Sequence, residues 1–221
     1  MMKDLKLGIR CIKYGHNKRI LFALAIFMII FGALCIITNE DMSLMTYVMG
    51  GFMMTIAPCM SEQIYQTINM SKFALSSTKQ KRMGVQITTV LMGLSLLIGF
   101  ILFTIVMLIL IGNNRCIVSE IGCIYMVIGI LDVYLIIYMA LFYKYFFVST
   151  VVYVIGYVII YLICGMVIYR YKNSISIPFG ISFALVCIVI SSFINFGISK
   201  LTYKKPMDKY AIGSSLGREL N

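Results

Sequence analysis

Tryptophan is missing from the 221 residues, histidine occurs once, at His16, and proline three times. Asp and Glu number only 8, and charged residues of both signs make up 12% of the chain, about half of the roughly 25% typical of soluble domains. So sparse a charge leaves too little polar surface for a water-soluble globule. One histidine, and no C-x-x-C pair among the 7 cysteines, argues against a metal centre or a dithiol redox motif. No Ser-His-Asp or Cys-His set can be assembled around His16, which stands in a basic segment. The phosphate-cradling sequence G-x-x-x-x-G-K-[ST] is also absent, so any ATP chemistry belongs to another chain. The chain reads as a non-enzyme with no cofactor of its own.

What is present is apolar: 61% of the residues are hydrophobic, arranged in runs too long for a soluble core. A spanning helix needs about 20 such residues, whereas buried soluble helices seldom exceed about 14. None of the runs alternates as the strands of a membrane barrel do. Helices then remain the way to satisfy the backbone in lipid, and the fold class predicted is an all-α integral membrane protein. Six spans are expected, over 20–38, 44–64, 84–112, 122–142, 146–169 and 179–198. The first begins only after a basic lead and has no small-residue cleavage site, so it is expected to stay as a span. The short link Tyr143-Lys144-Tyr145 decides the count, since the topology fails if it is not a turn.

The net charge of +11 falls beside the apolar runs and not on a soluble face, which excludes nucleic acid as the partner and makes the bilayer one. All of the 19 basic residues except Arg115, Arg170 and Lys172 lie in segments that an even number of spans places on one side. By the positive-inside rule that side is the cytoplasm, and both termini share it. Residues 1–19 carry Met2, Leu5, Ile9 and Ile12 on one helical stripe, with Lys3, Lys6, Arg10 and Lys13 one residue on. Two readings stand for this lead, an interfacial amphipathic helix and a basic tail that only orients the chain. Residues 201–221 read as a polar cytoplasmic tether. Cys116 and Cys123, near the presumed outer face, are either a pair or packed thiols.

Four features carry functional expectation. The polar island 61–83, SEQIYQTINMSKFALSSTKQKRM, separates spans two and three and ends in Lys79, Lys81 and Arg82. Asp132 lies mid-span, where a carboxylate costs a few kcal/mol unless it faces protein or water; it is read either as a pathway residue or as an acid bonded to a neighbouring helix. Span two carries Met45, Met49 and Met53, with Pro58 able to kink it, and span five carries Tyr153, Tyr157 and Tyr161. Methionine adapts to varied apolar shapes and tyrosine adds a polar tip, so each stripe is a candidate pathway wall as well as ordinary packing. Asn195 is expected to bond between helices.

This layout of a basic cytoplasmic lead, two spans, a cytoplasmic island and four more spans resembles the permease subunit of bacterial type 2 ATP-binding-cassette exporters. The resemblance is carried locally by Glu62 and by the small, polar and basic patch Ala74-Leu75-Ser76-Ser77-Thr78-Lys79-Gln80-Lys81-Arg82. It implies that the island is a coupling helix docked on a separate ATP-binding-cassette subunit, through Glu62, Ile64, Tyr65, Ile68, Phe73, Leu75, Lys79, Lys81 and Arg82. It further implies ATP and magnesium in that partner, a second permease subunit in a homo- or heterodimer, and the bacterial cytoplasmic membrane as location. The methionine and tyrosine faces suggest hydrophobic or amphipathic peptide cargo, a toxin or bacteriocin, exported or expelled for self-protection. A secondary transporter or channel using Asp132, and a membrane immunity or scaffold protein that transports nothing, are the alternatives.

Overall fold

A computed structural model of the protein describes residues 12, 18–39, 43–69, 81–113, 118–142, 144–205 and 208. Peptide groups in hydrocarbon must bond within their own segment, and the long apolar runs accordingly close into helices. These are α1 (Lys18–Ile37), α2 (Leu44–Ile56), α3 (Met60–Asn69), α4 (Thr88–Gly112), α5 (Val118–Phe142), α6 (Phe146–Tyr171) and α7 (Ile177–Thr202). A tight 3-10 turn, Ala57–Cys59, joins α2 to α3, because Pro58 lacks the N–H that would continue the ladder. A wide π-helical turn, Arg82–Ile87, leads into α4. Counting these joined pieces as one each, six stretches are long and apolar enough to cross a membrane. The described chain is all-helical, with the build of a multi-pass membrane protein.

The decisive link is a turn. Helix α5 stops at Phe142 and α6 starts at Phe146, with the Tyr145 amide donating to the Leu141 carbonyl at 2.8 Å. The Lys144 ammonium donates to the Lys205 carbonyl at 2.6 Å, and the Lys205 ammonium lies 4.4 Å from the centre of the Tyr145 ring. Burial pushes the Lys144 amine below the usual lysine range. At the opposite end, Lys172 is paired with Glu120 at 2.9 Å.

Helix α5 is the centre of the bundle, packed most extensively on α7 and also on α6 and α2, while α4 fits between α2 and α7. The α5–α7 contact is close because small residues face each other. A Cβ on Gly122 or Gly180 would collide with backbone of the other helix or of the residues leading into it, and one on Gly129 would press on Ala184 and Cys187. Helices α1 and α2 meet the same way, a Cβ on Gly32 falling 2.6 Å from the Gly50 carbonyl oxygen. Without a hydrophobic force between helices in lipid, such backbone approach is what holds spans together. Helices α1 and α6 are peripheral: α6 buries only Ser149 and Cys164 completely.

Most boundaries shift by one or two residues, and α7 runs four residues past 198 to Thr202; three further differences bear on the polar segments. The second span runs through α3 instead of stopping at Ile64, α4 is preceded by helical backbone from residue 81, and α5 opens at Val118, four residues before Gly122. In α3 and at the start of α5, polar residues at the span end find partners on the protein, Glu62 with Gln66 and Glu120 with Lys172, so the helix extends past the apolar run. The stripes predicted for 1–19 lie outside the described residues except Ile12, which packs beside Tyr65, Ile87 and Leu91. Most of 201–221 also lies outside them. Cys123 is a buried free thiol, and Cys116 is outside the described residues.

Candidate functional site

The methionine and tyrosine stripes meet. A groove of about 190 Å³ between α2, α5 and α6 is walled by Met45, Met49 and Phe52 on one side, by Tyr153, Tyr157 and Tyr161 on another, and floored by Tyr134 and Leu131. Spacings of four and three on α2 (Met45, Met49, Phe52) and of four on α6 (Tyr153, Tyr157, Tyr161) bring each set to one side of its helix, since three or four residues make about one turn. The tyrosine rings stand in file, with centres 6.4 Å apart from Tyr153 to Tyr157 and 6.5 Å from Tyr157 to Tyr161. Tyr134 fixes α6 against α5 by donating to the Tyr153 carbonyl at 2.6 Å. The three tyrosines of α6 are 46%, 58% and 56% exposed.

Met53 does not join this groove. It faces α1 instead, where a Cβ on Gly32 would sit 3.3 Å from the Met53 Cβ.

Asp132 is also off the groove wall. It is buried in the bundle, and the Thr55 hydroxyl donates to its Oδ1 at 2.9 Å. The same hydroxyl lies 3.1 Å from the Phe52 carbonyl, so one proton is shared between two acceptors. The bond is to a neighbouring helix, one of the two readings of this acid, but the sequence reading did not single out Thr55 as the partner. The signal was available, because Thr55, Cys59, Glu62 and Gln66 form a 4, 3, 4 polar stripe along an apolar span.

The docking face predicted for the island is partly turned inward. Ile64 and Tyr65 are fully buried; Tyr65 packs on Ile87 and Leu91 and donates its hydroxyl proton to the Met83 carbonyl at 2.9 Å. Glu62 is buried as well and accepts from the Gln66 amide at 2.6 Å. Tyr65 thereby ties α3 to the start of α4, and none of the three is offered on the surface. Lys81 and Arg82 are exposed. Phe73, Leu75, Lys79 and the side chain of Ile68 lie outside the described residues.

Asn195 departs from its expected role. Its Oδ1 accepts from Ser199 on its own helix at 3.4 Å, and its buried Nδ2 has no partner among the described residues. Among the described residues no cluster of three or more His, Cys, Asp or Glu side chains is placed to hold a metal ion.

No family model matches the chain, and neither a curated protein nor a solved structure matches it.

Proposed function

We propose that the protein is the transmembrane permease subunit of an ATP-driven exporter. It works beside a second permease subunit, identical or similar, and is driven by a separate ATP-binding-cassette subunit that binds ATP and magnesium. The observation that carries this reading is the groove between α2, α5 and α6. Adaptable thioethers face a file of phenols there, a lining that suits a cargo with apolar bulk and occasional polar groups. Such cargo is a hydrophobic or amphipathic peptide, a toxin or bacteriocin, exported or expelled. The basic end of the bundle faces the cytoplasm of a bacterium, and the island 61–83 transmits the motion.

The buried Asp132 supports a packing role more than a pathway role, since Thr55 holds it at the α2–α5 contact. The test is ATP hydrolysis by the reconstituted complex with and without an amphipathic peptide. Tyr157→Ala and Met49→Ala are expected to cut peptide stimulation severalfold while leaving basal hydrolysis unchanged. Replacement of residues 70–82 by Gly-Ser of equal length is expected to release the ATP-binding subunit. Retention of that subunit, or peptide transport driven by a proton gradient in ATP-free vesicles, would overturn the reading.

A further inference from the structure

A second groove lies on the other side of the bundle, between α4 and α7. It encloses about 460 Å³ and is lined by Thr89, Gly93 and Leu97 from α4, and by Leu185, Ile188, Val189, Ser192, Phe193 and Phe196 from α7. Its two hydroxyls are already committed: Thr89 donates to the Val85 carbonyl at 2.8 Å and Ser192 to the Ile188 carbonyl at 3.0 Å. The wall therefore presents no free donor, unlike the tyrosine groove. Gly93 is what opens it, because a Cβ there would fall 2.8 Å from the Ser192 hydroxyl oxygen. On the membrane side Val189 and Phe193 are mostly exposed.

The groove runs toward the basic end of the bundle. Lys200 lies one turn beyond Phe196 on the same stripe of α7, about 6 Å further along the axis, and is exposed. Lys204 and Lys205 follow it, also exposed, and the Arg82–Ile87 turn packs against this part of α7. The acidic side chains described at this end are Glu62, turned into the core, and Asp208, beyond the helix.

We propose that the α4–α7 groove is a binding site for an anionic glycerophospholipid, with one acyl chain along Gly93 and Val189 and the headgroup phosphate at Lys200. A trough whose two hydroxyls are already bonded to their own helices suits hydrocarbon, and basic residues at the end of spanning helices attract anionic headgroups. The assignment stands on membrane embedding alone and does not depend on the exporter reading.

Native mass spectrometry of the purified full chain in detergent tests it, using phosphatidylglycerol and phosphatidylcholine with identical chains. Phosphatidylglycerol is expected to bind in preference by about fivefold, the scale of one basic residue near an anionic surface. Lys200→Gln should abolish the preference while leaving phosphatidylcholine binding intact. Val189→Trp, which fills the trough from its exposed side, should weaken both lipids severalfold, and Val154→Trp on the exposed face of α6 should weaken neither. Equal lipid retention by the Val189→Trp and wild-type proteins, a preference that survives Lys200→Gln, or equally tight binding of glycerol phosphate without chains would each overturn the proposal.

Discussion

Thr55 shows how a single hydroxyl makes a mid-span acid tolerable. Its bond to Asp132 joins α2 to α5 where no water competes, and interhelical side-chain bonds of this kind contribute about 0.6 kcal/mol on average. Thr55→Val is expected to lower stability by roughly 1 kcal/mol, because it also strands a buried polar acceptor. Asp132→Ala should cost more, since a cavity is added, and Asp132→Asn least, since the amide oxygen still accepts. Unfolding midpoints in detergent rank the three, and equal midpoints for Thr55→Val and wild type would remove Thr55 from this role. Asp132 was conspicuous in the sequence because a lone carboxylate interrupts an apolar run. Its partner was not, because a threonine 77 positions away gains meaning only when α2 and α5 touch.

At the scale of the element, glycine sets how near the helices come. Gly32 with Gly50, and Gly122 with Gly180, allow backbone to meet backbone at the α1–α2 and α5–α7 crossings. An added methyl meets a backbone carbonyl oxygen at each of these positions, which no side-chain motion relieves, so the helices must separate. Gly50→Ala and Gly122→Ala are each expected to lose about 1–3 kcal/mol, the range for overpacking, whereas Gly165→Ala, which meets nothing within 4 Å, should be neutral or slightly stabilising. Thermal unfolding of the three variants checks the contrast, and a loss at Gly165 equal to that at Gly122 would refute it. The α3 helix makes a related point. Its polar composition reads as a solvated island, yet Tyr65 and Glu62 have bonds within the protein, so the helix continues where hydropathy alone would end it.

For the whole molecule, six passes and the Lys144 turn bring Lys144 and Lys205 to one end and place Lys172 with Glu120 at the other. Single cysteines introduced at 172 and at 204, in a chain whose native cysteines have been replaced, are therefore expected to label from opposite sides of sealed vesicles. A membrane-impermeant maleimide applied from one side should reach one position and not the other. Labelling of both from the same side would break the six-pass arrangement. The two grooves lie on different flanks of the α5-centred bundle and differ in chemistry: tyrosine hydroxyls line one and self-bonded hydroxyls the other. A groove-filling change on one flank is therefore expected to leave the other unaffected.

The residue order by itself determined that the chain is helical and how many times it can cross, because hydrocarbon allows the backbone few other solutions and run length counts the passes. It also determined which tyrosines share a helical face, through spacing alone. Tertiary structure decided which faces meet: the methionine stripe opposite the tyrosine stripe, Met53 turned away to α1, Asp132 off the groove and onto Thr55. The reason is that spacing fixes angles within one helix, whereas angles between helices follow from small-residue contacts such as Gly122 with Gly180, which have no periodicity along the chain.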